Sequence, residues 1–111
     1  MATPLYQAKA DFFRTLGHPA RIRILELLSE RDYAVHELLV QIEIEASNLS
    51  QQLAVLRRAG LVTTRKAGST VHYSLRSPEL AELLAVAKRF MVVALSDSTE
   101  LLAGLRAAGA S

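Results

Sequence analysis

Residues 46–75 read ASNLSQQLAVLRRAGLVTTRKAGSTVHYSL, and the period of the apolar positions changes once inside this stretch. In its first half Leu49, Leu53 and Leu56 recur at steps of four and three, which predicts a helix from about Ala46 to Ala59 with one buried stripe. Gly60 stands where such a helix is stopped. Beyond it, Leu61–Lys66 and Ser69–Leu75 are two strand-length segments separated by Ala67-Gly68. Val71, Tyr73 and Leu75 alternate with Thr70, His72 and Ser74, the period-two pattern of a β-hairpin.

Working outward, a short helix is expected from about Ala34 to Gln41, burying Val35, Leu38 and Leu39, with the turn at Gln41–Ala46. Short helix, turn, longer helix and hairpin make a helix-turn-helix over about 34–59 with a wing over about 61–75. The fold class expected is therefore mainly α with a β-hairpin wing, a winged helix-turn-helix filling 1–111 as a single domain. Thr3-Pro4 opens a first helix carrying Leu5, Ala8, Phe12, Phe13 and Leu16, and Gly17 ends it. Pro19 starts the next, whose apolar face is Ile22, Ile24, Leu25, Leu27 and Leu28. Ser77-Pro78-Glu79 opens the last helix with a capping hydroxyl, a proline in the first turn and an acid at the positive end of the dipole.

Leu80, Leu84, Ala87, Met91 and Ala94 follow, flanked by Leu83 and Phe90, which is more apolar surface than a lone terminal helix can hide. One alternative is packing on its own domain. The reading adopted is a homodimer through the terminal helices, about 4–16 and 78–95, with Leu5, Phe12, Leu80, Leu84, Ala87 and Met91 at the seam. Asp97–Thr99 is expected to interrupt the helix before Leu101, Leu102 and Leu105, and the Gly-Ala tail to fray.

At 111 residues, 50% hydrophobic and 22% charged, the chain has an ordinary globular composition. It has no cysteine, which removes disulfides, thiolate metal sites and a cysteine nucleophile together. No apolar run approaches the ~18 residues of a membrane span, and Lys9, Asp11 and Arg14 interrupt any secretory signal, so a cytoplasmic protein without a membrane partner is expected. The net charge of +2 says little, but its distribution says more. From Glu26 to Glu45 six acids face Arg31 alone. From Ala46 to Pro78 there is no acid, while Arg57, Arg58, Arg65, Lys66 and Arg76 contribute five positive charges. A polyanion uses such a stretch, because each neutralised phosphate releases a counterion; a solvated basic face without a partner carries the same pattern.

The longer helix decides between these. Ser47, Asn48, Gln51 and Gln52 are expected together on its exposed side, opposite Leu49, Leu53 and Leu56, as candidate readers of base edges in a major groove. Gln and Asn suit adenine edges, and Ser serves either partner. Arg57 and Arg58 two turns on, and Arg65 and Lys66 on the wing, are candidate phosphate contacts. Double-stranded DNA is the partner this implies.

The run Phe13–Leu28, FRTLGHPARIRILELL, resembles the entry signature of the ArsR/SmtB family of winged-helix bacterial regulators. Asn48–Val62 resembles that family's recognition helix and first wing strand, and Gly68–Leu75 its second wing strand with the usual Tyr. The resemblance, over roughly residues 5–95, implies a homodimer that binds an operator palindrome, usually as a repressor released by a metal ion or another signal; an effector or a partner protein is the expectation for this chain, whose metal sites are incomplete. Members that sense soft metals carry Cys-Val-Cys in the third helix, where this chain has Leu39 and Gln41 at the thiolate positions. Members that sense zinc, cobalt or nickel across the dimer use Asp and His of the last helix. Residues 78–105 hold no His, only Glu79, Glu82, Asp97 and Glu100. Both family metal cages are incomplete, so a divalent metal such as nickel or zinc is expected to bind weakly if it binds, with His18, His36 and His72 as the imidazoles left. Each has a plainer role: His18 as a helix cap, His36 on the surface beside Glu37, and His72 on the outward face of the second wing strand.

An enzyme is not expected, since neither a strand-turn-helix elbow nor a glycine-rich phosphate loop occurs. The alternative function is a protein-interaction module that uses the winged helix without DNA.

Overall fold

The computed structural model describes residues 2–96 and 99–109. The elements in chain order are α1 (Leu5–Leu16), α2 (Pro19–Glu30), β1 (Tyr33–Ala34), α3 (Val35–Gln41), α4 (Ala46–Arg58), β2 (Val62–Ala67), β3 (Thr70–Leu75), α5 (Pro78–Ser96) and α6 (Thr99–Gly109). Asp97 and Ser98, where the interruption was expected, lie outside the described residues, as do Ala110 and Ser111 of the tail. The chain divides into two compact units between Ala81 and Glu82.

The first unit holds the core. Ile24 and Leu25 of α2, Leu38 of α3, Leu49, Leu53 and Leu56 of α4 and Val62 of β2 are its largest fully buried side chains. Burying a side chain of this size stabilises the fold by about 1.5–3 kcal/mol, so these seven are what hold the helix-turn-helix and the root of the wing together. Each helix boundary has a local cause. Pro19 occupies the first position of α2, where its missing N–H costs nothing, and His18 Nδ1 accepts a hydrogen bond from the Ala20 N–H at 3.2 Å. Glu37 caps α3 from within, its carboxylate accepting the Ala34 N–H at 2.9 Å. The Ser77 hydroxyl accepts the Glu79 N–H at the start of α5 at 3.2 Å. At the end of α4 the Gly60 N–H reaches the Arg57 carbonyl and the Leu61 N–H the Leu56 carbonyl, with Gly60 at φ 76°. This is the Schellman arrangement, and it turns the chain from helix into wing.

The sheet has three antiparallel strands in the order β1-β3-β2, where the sequence reading had two. Tyr33 pairs with Tyr73 and Ala34 with His72, which makes β3 the central strand. The wing's register pairs Ala67 with Thr70, so the two-residue turn is Gly68-Ser69, one residue later than expected. Gly68 has φ 65° and Ser69 does not share the positive φ, the pattern of a type II′ turn, which suits the twist of a hairpin. The central placement of β3 also corrects the position of His72, which is half-buried between neighbouring strands while Val71 is exposed.

The terminal helices carry uncovered apolar surface. On α1 only Leu16 is buried, while Leu5 and Tyr6 stand 71% and 76% exposed. Phe12 is half-buried and meets Phe13 edge-to-face at 5.2 Å. In the second unit, Val86, Phe90, Met91, Val92 and Val93 of α5 are all exposed. Every buried apolar residue among those described lies between Leu16 and Leu80, so none of them belongs to the second unit.

Candidate nucleic-acid interface

Helix α4 starts directly after a turn that needs no side-chain cap and presents a continuous outward stripe of Ala46, Ser47, Ser50, Gln51, Ala54, Arg57 and Arg58. The polar N-terminal half of this stripe is narrow and flanked by small side chains, which lets a helix approach base edges closely. Its C-terminal turn ends in two exposed guanidiniums. Lys66 and Arg65 stand exposed on β2 of the adjoining wing. Among the described residues no carboxylate pairs with Arg57, Arg58 or Lys66, whereas Arg65 Nε lies 3.4 Å from Asp32 Oδ2.

Of the four expected base readers, Ser47 and Gln51 are exposed, Asn48 is half-buried and Gln52 is 8% exposed. Gln52 is therefore corrected from a reader to an interior residue. Its Oε1 accepts from Arg21 Nε of α2 at 2.8 Å, and its Nε2 donates to Asn48 Oδ1 at 2.9 Å. The Arg21 guanidinium is anchored a second time by the Thr15 carbonyl at the end of α1, 3.2 Å from its NH1. The signal was present in the spacing: 49, 52, 53 and 56 are i, i+3, i+4 and i+7, one face of a helix, and the polarity of Gln obscured it. The same spacing identifies Ser50, which the sequence reading passed over, as a member of the outward stripe.

The entry to α3 is fixed electrostatically. Arg31 NH1 lies 3.2 Å from Glu37 Oε2, and its guanidinium stacks over the Tyr33 ring at 3.8 Å. The Ala34 N–H first, and the positive charge of Arg31 with it, hold the Glu37 carboxyl below its usual value.

Among the seam candidates, Leu5, Ala87 and Met91 are exposed, and Phe12 and Leu84 half-buried. Leu80 is corrected: at 8% exposure it belongs to the core of its own unit. His36 is exposed and His18 is occupied as a cap. Among the described residues no three His, Cys, Asp or Glu side chains gather where they could hold a metal, so the three histidines do not share one site within the chain.

A helix-turn-helix with a polar recognition helix, a basic last turn and a two-stranded wing defines a winged helix-turn-helix, DNA-binding transcriptional regulator. The chain belongs to the arsR family of bacterial regulatory proteins, whose pattern it matches over residues 18–64, from the cap of α2 into β2. It is 57% identical over 109 residues to the HTH-type transcriptional regulator Rv0081 of Mycobacterium tuberculosis, covering 97% of this chain and 96% of that one. The crystal structure of M. tuberculosis Rv0081 superimposes with a TM-score of 0.80 at 59% identity, over 86% of this chain and 97% of that chain. The biofilm growth-associated repressor of Agrobacterium fabrum is 39% identical over 75 residues, 68% of this chain and 64% of that protein. The transcriptional activator HlyU of Vibrio cholerae is 40% identical over 76 residues, 68% of this chain and 70% of that protein. These relatives are regulators and not enzymes. Among the described residues no helix is long and apolar enough to cross a membrane.

Proposed function

We propose that the protein is a cytoplasmic homodimeric repressor that presents two α4 helices to successive major grooves of an operator palindrome, about 34 Å apart. Ser47, Asn48, Ser50 and Gln51 read base edges, while Arg57, Arg58, Arg65 and Lys66 meet phosphates and set the register. The observation that carries this reading is the outward stripe of α4, polar at its start and doubly basic at its end, beside a basic wing in a stretch of chain without acids. The dimer rests on the uncovered apolar faces of α1 and α5, and 1–111 is then one functional domain whose terminal helices are covered by a second copy. Repression is the sign adopted; the relatives named above include one repressor and one activator. An effector acts by changing the angle between the two halves. Any nickel or zinc uses His18, His36 or His72 with oxygen donors or with a second protomer, and binds weakly for want of imidazoles.

The test is selection of bound duplexes from a random library, with and without a panel of divalent metals. An inverted repeat with half-sites one helical turn apart is the expected product. No measurable binding to any duplex would favour the protein-interaction module instead.

A further inference from the structure

We propose that Arg21 and Gln52 are positioning residues for sequence reading: neither stands on the outward stripe of α4, yet together they tether the Asn48 side chain from inside the protein and order it before DNA arrives. The inference deepens the base-reading role given to Asn48 above and rests on it.

The line of contacts begins where α1 ends. Thr15 sits in the last turn of that helix, and the residue four places on, Pro19, has no N–H to give to its carbonyl. Arg21, in the first turn of α2, fills that gap, its NH1 donating to the Thr15 carbonyl at 3.2 Å. The Nε of the same guanidinium donates to Gln52 Oε1 at 2.8 Å. Among the described residues no carboxylate pairs with Arg21, so the neutral oxygens of Thr15 and Gln52 are the partners that hold its charge in place. A charged donor makes a stronger hydrogen bond than a neutral one, and a guanidinium only donates. The Gln52 amide is therefore held with its oxygen toward Arg21, and its Nε2 donates to Asn48 Oδ1 at 2.9 Å.

An Asn–Gln pair one turn apart on an exposed helix face is a weak contact. Here Gln52 is buried, and it cannot rotate away without leaving a charged donor unpaired. Asn48 is half-buried in the first turn of α4, next to the exposed Ser47, with one end of its amide fixed from within. Immobilising a free side chain on binding lowers affinity, and a side chain already ordered in the free protein avoids that loss. The benefit is realised only where Asn48 meets a matched base. The tether thus raises the ratio of operator to random affinity, by roughly 2- to 10-fold, and leaves binding to arbitrary duplexes nearly unchanged.

Affinities for the operator recovered by selection and for a random duplex are measured with the full-length wild type, Asn48→Ala, Gln52→Met and the double variant Asn48→Ala/Gln52→Met, with a thermal melt of each. Gln52→Met keeps the length of the buried side chain and removes the tether. It should lower the operator-to-random ratio by roughly 2- to 10-fold while random DNA binds as before. In the Asn48→Ala background it should lower the ratio no further, because the residue it acts through is gone. A general loosening of α4 would lower the ratio a second time in that background, and this result overturns the proposal. So does a wild-type ratio in Gln52→Met when Asn48→Ala has lost it, or an equal weakening of both duplexes by Gln52→Met. If Asn48→Ala itself keeps the wild-type ratio, the base-reading role of Asn48 fails, and the tether has nothing to position. Should Gln52→Met not fold for want of an acceptor for Arg21, Arg21→Met/Gln52→Met replaces both partners by apolar side chains of similar length, a change that is nearly neutral for stability, and the same comparisons are read from it.

Discussion

Arg65 Nε on β2 lies 3.4 Å from Oδ2 of Asp32, the residue that precedes β1, so an ion pair spans the full width of the three-stranded sheet with β3 between. Both side chains are about half-exposed, at 58% and 42%. A pair so exposed contributes about 0.2–1 kcal/mol, so Asp32 does not lock Arg65 in place. The fold has brought an acid beside a segment of chain that contains none. Asp32→Asn should free Arg65 and remove a negative charge near the DNA backbone. Specific and random duplexes should then bind tighter by the same factor, up to about 5-fold. Fluorescence anisotropy on both duplexes at two salt concentrations checks this; unchanged affinity would place Arg65 away from the phosphates.

Gln51→Ala and Lys66→Ala should differ in kind. Removing the exposed amide of Gln51 from the α4 stripe is expected to cost about 1–3 kcal/mol on the best operator and little on random DNA. Lys66→Ala is expected to weaken every duplex alike and to lower the salt slope by about one. Parallel titrations against salt decide between the roles. Equal losses on operator and random DNA in both variants would remove the distinction between readers and phosphate contacts.

How much of this was legible in the sequence depended on how many residues carried each signal. Helix α4 repeats its apolar step over thirteen residues and ends on a glycine, so its limits were readable to within one residue. Strand β1 is two residues long and has no period to detect; only β3, about forty positions away, makes Tyr33 and Ala34 a strand. The hairpin turn was misplaced by one residue because either neighbour of Gly68 could complete the turn, and cross-strand pairing chose Ser69. Gln52 was misread because polarity was allowed to outweigh spacing. A polar residue on a buried face waits for a partner from elsewhere in the chain, here Arg21, and no local pattern names that partner. The uncovered apolar stripes were visible in sequence because burial had to be supplied from somewhere, yet Leu80 at the start of α5 turned out to be buried within the first unit.

Glu37 gives the helix-turn-helix a dependence on acid. Its carboxylate accepts the Ala34 N–H and faces Arg31, and these hold its pKa below the ordinary 4.5. A carboxyl whose folded pKa is depressed contributes stability that is present above its unfolded value and is lost as pH falls through the folded one. Glu37→Gln lacks that contribution. Urea midpoints of wild type and variant should therefore differ at neutral pH, with wild type the more stable, and converge as pH falls below about 4.5. A gap that stays constant down to the acid limit would show that the ionised cap is not what stabilises α3.

The last expectation concerns the apolar faces. Met91 and Phe90 on α5 are 48% and 71% exposed and Leu5 on α1 is 71% exposed, large apolar side chains of the kind that mark an interaction face. If a second copy covers them, Leu84→Asp or Met91→Asp places a carboxylate in an apolar interface with no partner, a cost of several kcal/mol that is counted twice in a symmetric dimer. Light scattering at micromolar concentration should then report a dimer for wild type and a folded monomer for the variant. Val40→Asp makes the same charge change on α3, at a residue 79% exposed outside the proposed seam, and should remain dimeric. Operator affinity should collapse with the dimer, because two tethered half-site readers gain from each other's proximity and a lone reader does not. A monomeric wild type, or a Met91→Asp variant that stays dimeric and still binds the operator, would remove the terminal helices from the assembly.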